Sequence, residues 1–410
     1  MAVIRGFSWS AAGSIHVVYQ TEDGEIHELS SSSPGAWLHA NLTALTGTSG
    51  AGSVLRAAYE WPPGGSQQIV YTQAPDMQPG SFDQHVHELY RVKGGSWHHA
   101  DLTTISGAPP AHEGVVAAYA GGAKQVVHKS ANGHLHELRV KKGGAWKHTD
   151  LTSSTTLVSD FAKHEGLTEA KVQVPSGLAF AGYEYLQNSA WTQRSVWYVN
   201  GGLAHRLMHS VDDGPGWTYA PWIPGTQPLD VHQPQHEQVY ALQRRSDDSV
   251  FTIFLTPGRH IHAFWAQAPW GPPAWKEYIV TEGGPVLIDL NFRLAVFEWF
   301  AAETINIVYI GVGGHIHECS IRRVGPFPPS NPEDDPNEVK HVDLTALSGA
   351  PAPTLSAAAQ VEAFASKKTG TKYIVYPGND GHIHMLSGKQ RGILKHDDLT
   401  ALTDSPPLWG

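Results

Sequence analysis

The sequence predicts an all-β protein, a seven-bladed β-propeller built of four-stranded antiparallel blades. Three observations predict it. One phrase (Val-Tyr, a Gly turn, His-Ile-His-Glu-Leu, a Trp, a His, then Asp-Leu-Thr) recurs seven times, whole or eroded, in 410 residues. The copies lie roughly 45 to 65 residues apart, a period that marks stacked or radial repeats. Long helical periodicity is absent, and 42 glycines and 28 prolines supply many turns.

Residues 16–43, 68–103 and 125–152 carry nearly complete copies. Residues 307–345 and 373–400 lose the Trp but keep the rest, and 195–222 and 250–280 are eroded but legible. Each copy holds three short apolar–polar alternations, the signature of β-strands. Asp23-Gly24, Asn132-Gly133, Gly201-Gly202, Gly313-Gly314 and Asp380-Gly381 separate them. Such pairs supply the positive backbone angles of a two-residue hairpin. A small apolar run precedes each trio, as in Ala2–Trp9, Ser53–Trp61, Gly114–Ala120, Gly177–Tyr185, Asn291–Trp299 and Leu355–Phe364. Side chains of that size suit a crowded innermost strand. Each unit is therefore four strands, A to D, one blade of a propeller.

The blades are expected at 1–46, 52–106, 113–154, 176–224, 236–282, 288–347 and 353–403, all in one domain. Closing the ring removes exposed sheet edges. The first blade starts with its own A strand, and the last ends with its own D strand near Leu399, so the ring is shut by packing alone.

Net charge is −10 with scattered signs, which argues against a nucleic-acid partner. No apolar run of about 20 residues exists, so no membrane span is expected. The N-terminal stretch lacks the long apolar core of a signal peptide, so the expectation is a cytoplasmic chain, with secretion left open. The lone Cys319 falls in a C strand and has no internal disulfide partner. Asn41-Leu-Thr fits a glycosylation sequon only by pattern, because it occupies a repeated D-strand position. No Ser-His-Asp order, phosphate loop or dinucleotide fingerprint is present, and no cofactor is expected.

Most of the 25 histidines sit in the repeat. C strands carry His-x-His at 85/87, 134/136, 260/262, 315/317 and 382/384, and D strands add His39, His99, His148, His341 and His396. Residues i and i+2 of a strand share a face, and two imidazoles so placed can hold a metal. The same set in five blades is better explained as scaffold, with D-strand His and Asp bonding the neighbouring C-strand imidazole. No metal is therefore assigned. The Trp at 37, 97, 146, 217 and 275 is likewise read as blade packing before ligand platform.

The phrase Val-Tyr, Asp-Gly-x-Ile-x-Glu-Leu, Trp resembles that of the fungal fucose-specific lectin superfamily of propellers, across nearly the whole chain. In that family fucose sits between blades, held by an arginine, a carboxylate and aromatic rings. The resemblance places the carboxylate at Glu28, Glu88, Glu137 or Glu318. At the start of strand B, where the arginine is sought, this chain has His16, Gln68, Gln125, Ser195, Ser249, Asn306 and Lys372. The arginine is unmatched, which leaves a lectin of other specificity open beside a fucose binder.

Departures from the repeat are the other guide to function. Blade 4 replaces His-x-His-Glu by His205-Arg206-Leu207-Met208 and is rich in aromatics, which makes Tyr183, Trp191, Trp197, His205, Trp217, Tyr219, Trp222 and His236 the candidate ligand-binding residues. Long connections at 72–84, 153–176 and 220–237 are expected on one rim, and 321–340 on the opposite face. Glu60, Glu184 and Glu298, with Glu362 alongside, are expected to form a column of carboxylates on A strands. Two main functions follow. One is a lectin-like protein binding a sugar or similar small organic molecule. The other is a cofactor-free enzyme, a cyclase, pericyclase, lyase or isomerase, with one aromatic pocket near blades 2–5 and His164, Arg56, Glu60, Glu184 or Glu298 as polar handle. A protein-interaction propeller would use the same rim.

Overall fold

The computed structural model describes residues 3–33, 35–50, 53–73, 84–120, 122–153, 155–157, 180–187, 192–200, 203–210, 217–221, 239–244, 249–255, 260–267, 276–281, 294–323, 337–355, 360–389 and 394–409. They form seven antiparallel sheets, each with four consecutive strands in the order A-B-C-D. The first comprises Val3–Trp9, Ser14–Gln20, Ile26–Ser31 and Trp37–Asn41. The second comprises Ser53–Trp61, Ser66–Gln73, His85–Val92 and His98–Asp101. The third comprises Glu113–Ala120, Ala123–Lys129, Leu135–Lys141 and Lys147–Asp150. Phe180–Gln187, Thr192–Asn200, Leu203–Ser210 and Trp217–Pro221 make the fourth. Val239–Arg244, Ser249–Leu255, Ile261–Gln267 and Lys276–Ile279 make the fifth. Ala295–Trp299, Thr304–Ile310, Ile316–Arg323 and Asn337–Asp343 make the sixth. Glu362–Ala365, Thr371–Pro377, Ile383–Lys389 and Lys395–Asp398 make the seventh.

The A strands pack against one another in sequence, and the seventh returns to the first, which is the arrangement of a β-propeller. Neither the first nor the seventh sheet borrows a strand from the other. Where they meet, Leu408 donates its N–H to Gly381 O at 3.0 Å and is buried among Tyr19, Ile383 and Leu399. The small A-strand residues are needed because the inner strands are crowded: a Cβ on Gly6 would stand 2.2 Å from the Phe364 ring of the seventh sheet. Hydrophobic cores lie between sheets. One joins the first to the second, others the second to the third, the fifth to the sixth, the sixth to the seventh, and the seventh to the first.

Two repeated details differ from the sequence reading. The B–C turn is not a two-residue hairpin. Gly24 N–H bonds Thr21 O at 3.0 Å and Thr21 N–H bonds Glu25 O at 3.0 Å, around a Gly24 with φ +89°. This is the three-residue loop that ends in a left-handed residue. It recurs at Ser130–His134, Gly311–His315 and Gly378–His382.

The second detail is that Asp-Leu-Thr does not lie within strand D. The Asx ends the strand as the N-cap of a one-turn helix: Asn41 of Leu42–Thr46, Asp101 of Leu102–Ser106, Asp343 of Leu344–Ser348 and Asp398 of Leu399–Thr403. Its carboxylate or amide oxygen accepts a backbone N–H, as such residues do. The Leu is buried, and the Thr hydroxyl accepts the first N–H of strand C, as in Thr43 to Ile26, Thr103 to Val86 and Thr400 to Ile383 at 2.8–2.9 Å. The Asn41 sequon is one of these caps. Asn41 is bonded to both Ala44 and Glu25.

Candidate functional site

The histidines form a ladder within the second, third and seventh sheets. The first His of a pair bonds the cap carboxylate: His85 to Asp101, His134 to Asp150 and His382 to Asp398, all at 2.8 Å. The second bonds the D-strand imidazole: His87 to His99, His136 to His148 and His384 to His396, at 2.9–3.0 Å. Each second His also stacks on the strand-B aromatic, Tyr71, His128 or Tyr376. Burial holds His87 and His136 down to about 4 and His128 to about 3. They are neutral rings, with His128 donating Nε2–H to Pro109 O at 3.0 Å. His85, His87 and Asp101 bring three potential ligand atoms within 4.8 Å of one another, as do Asp380, His384 and Asp398. In both groups these atoms already bond within the ladder.

Two of the predicted A-strand handles, Glu60 and Arg56, bond to neighbouring scaffold groups. Glu60 accepts Ser10 N–H, Ala11 N–H and the Ser10 hydroxyl, capping the turn of the preceding sheet. Arg56 donates to Thr72 Oγ1 and Gln84 Oε1, and its carbonyl accepts from Arg5. Pairing to strand B breaks the expected carboxylate column. Glu60 and Glu298 occupy one position, opposite Gln67 and Ile305. In the fourth sheet that position is Tyr185, opposite Arg194, and Glu184 falls one residue away, opposite Ser195. Glu362 lies three residues away, opposite Val375, and pairs with Arg5.

For the fourth-sheet cluster the backbone alone is described. Tyr183 and Glu184 are on strand A, Trp197 on B, His205 on C, and Trp217 and Tyr219 on D. His164, Trp191, Trp222 and His236 lie outside the described residues, as does most of the long connections. From the connection at 153–176, Thr155–Leu157 adds a fifth strand, parallel to Trp217–Pro221. The single-pocket enzyme reading rests on those side chains.

The sites that the structure does build lie between sheets, around the C-strand carboxylates. Glu28, Glu88 and Glu318 are 1 %, 1 % and 4 % exposed. A buried carboxylate needs partners, and each finds them on the next sheet. Glu28 accepts His16 Nδ1–H and Gln67 Nε2–H at 2.8 Å and Arg91 Nη2–H at 3.0 Å. Glu88 meets Lys124 Nζ at 2.7 Å, and Glu318 meets Lys372. Burial pulls Glu28 up, but His16, Arg91 and Gln67 together hold it below the ordinary carboxylate value. For Glu88 burial outweighs Lys124 and leaves it raised.

Aromatic rings enclose the cations. Arg91 lies over Trp9 and Trp97, with ring centroids at 5.6 and 4.8 Å. Lys124 is boxed by Trp61, Tyr90 and Trp146 at 4.9–5.3 Å, each a cation–π contact. Among the described residues Lys372 has only the Trp299 ring, at 4.6 Å. The positions of Tyr90 and Trp146 are taken here by Ser320 and Leu394. With two of three walls gone, the space opens into a cavity of about 840 Å³ lined by Trp299, Asn306, Glu318, Ser320, Lys372 and Leu394, among others. Glu318 Oε1 and Asn306 Oδ1 are buried acceptors with no partner among the described residues.

Sequence reasoning located these carboxylates and Lys372 but missed Lys124, Arg91 and the A-strand Trp9, Trp61 and Trp299. It sought the cation at Gln68 and Gln125. The residue that reaches the preceding sheet is one position earlier, Gln67 and Lys124, on the opposite face of the strand. Counting faces from the Val-Tyr pair would have found it.

No protein-family model and no curated protein matches this chain. Solved structures do. The BP39L lectin from Burkholderia pseudomallei superposes with a TM-score of 0.58 at 14 % identity, covering 96 % of this chain and 97 % of that one. The chain has the fold of that lectin. AofleA from Arthrobotrys oligospora gives 0.49 at 13 %, over 85 % and 86 %. The Aleuria aurantia lectin, a six-bladed β-propeller, gives 0.45 at 13 %, over 84 % and 93 %. The resemblance read from the blade phrase thus holds at the level of fold.

Proposed function

We propose that this chain is a seven-bladed, lectin-like propeller that binds a sugar in the cavity between its sixth and seventh sheets. One observation carries the reading. There a carboxylate–lysine pair and a tryptophan line an open cavity instead of being closed over by aromatic rings. Sugars supply hydroxyl donors on polar edges and C–H faces that lie on tryptophan. A cavity of this volume suits one or two sugar rings, within the usual range for small-molecule sites. The interfaces at Glu28 and Glu88 use the same parts but fill them with Arg91, Trp97, Tyr90 and Trp146, so they act as scaffold.

The test is calorimetry of the purified chain against a monosaccharide panel that includes methyl α-L-fucoside. Binding near one molecule per chain, lost in Glu318→Gln, is expected. Binding that survives Glu318→Gln, or several equal sites per chain, would overturn the assignment to this cavity.

A further inference from the structure

We infer that the cavity selects an anionic sugar; this rests on the sugar-binding reading above and narrows its ligand. Four cations line it, Arg322, Lys340, Lys372 and Lys389, against two carboxylates, Glu303 and Glu318. The chain as a whole carries −10, so the local sign is opposite to the global one. Lys372 is spent on Glu318, and Lys340 bonds Glu338 at 2.9 Å. Arg322 and Lys389 are exposed.

Several of these cations recur around the ring, with Lys147, Lys276 and Lys395 at the place of Lys340 and Lys141 at the place of Arg322, whereas the second sheet differs. Strand pairing puts Val92, opposite Ser66, at the place of Arg322, opposite Thr304. His98, opposite Tyr90, stands at the place of Lys340, opposite Ser320. At the first-to-second interface the same two places hold Ser32 and Leu38, and Val92 stands where Lys389 does. At this interface the cations border an open cavity, because two of the three aromatic walls are gone. A neutral sugar offers them only hydroxyl oxygens, without a charge to pair. A carboxylate, sulfate or phosphate on the ring would meet Arg322 and Lys389 at the mouth while ring hydroxyls reach Glu318 and Asn306. Arginine is suited to such planar or tetrahedral anions through paired N–H donors.

The experiment is calorimetry at 50 mM and 500 mM NaCl with galactose, galacturonate, glucose, glucuronate, glucose 6-sulfate and glucose 6-phosphate, on the parent chain and on Arg322→Gln/Lys389→Gln. Both substituted residues are exposed, so the variant folds. The expected result is at least tenfold tighter binding of an anionic sugar than of its neutral parent, reduced to near parity by the variant and by high salt. The uronates against the sulfate and phosphate identify the anion. Equal or tighter binding of the neutral parent would overturn the inference and leave the sugar-site reading standing. An anionic preference that survives in the variant would overturn it too. No binding of any sugar would remove the underlying reading instead.

Discussion

The sixth-to-seventh and seventh-to-first interfaces are built from the same strands of the same repeat, yet one is charged and the other is not. At the first, strand C offers Glu318 and the next strand B offers Lys372. At the second, the corresponding residues are Met385 and Ile15, packed with Phe364, Tyr373 and Trp37. The fifth-to-sixth interface makes the same apolar choice with Ala263 and Ile305. The fold therefore does not need the ion pair. An apolar pair of similar size is often neutral or better than a buried salt bridge, because desolvation offsets the Coulomb gain.

The largest expected effect comes from breaking the pair on one side. Glu318→Ala strands Lys372, 8 % exposed, without its partner, and loss of one member of a buried pair costs roughly 3–5 kcal/mol. Chemical denaturation should show that loss. A change below about 1 kcal/mol, the scale of exposed pairs, would mean that the pair is solvated and the comparison misdrawn.

Acid should act on both kinds of interface alike, because the histidine ladder runs through the second, third and seventh sheets. His87, His136 and His128 fall below the ordinary imidazole value when folded, to about 4, 4 and 3, chiefly through burial. The unfolded chain then binds protons first, so stability falls as pH drops below about 6.5 and keeps falling to about 3. A melting temperature that stays flat from pH 7 to 4.5 would contradict neutral, buried rings.

The smallest effect concerns the shared scaffold. Thr103→Val removes the acceptor for Val86 N–H, and an orphaned buried donor costs about 1–3 kcal/mol. Sugar binding at the sixth-to-seventh cavity should be untouched, which calorimetry on the same variant checks.

Much of this was legible in the chain. The phrase gave seven units, their strands and the C-strand carboxylates, because period-2 alternation and Gly turns are local signals. The histidine network was legible for the same reason: repetition marks scaffold. Three things were not. Asp-Leu-Thr reads as strand, but its Asp caps a helix of one turn, too short for a periodic signal. The A-strand carboxylates Glu60, Glu184 and Glu298 look aligned in sequence, but pairing with strand B puts Glu184 one residue out of register. The sought site was placed at the aromatic-rich fourth unit, where sequence deviates most. The open cavity arises from quieter deviations, Leu394 for tryptophan and Ser320 for tyrosine, and small replacements at a boundary between units matter only once the neighbouring sheet is in view.

The most direct test installs the apolar interface in place of the charged one. Glu318→Met/Lys372→Ile copies Met385 and Ile15. The account predicts a chain as stable as the parent, or more so by up to about 4 kcal/mol, that no longer binds sugar. A double variant as unstable as Glu318→Ala, or one that still binds, would contradict it.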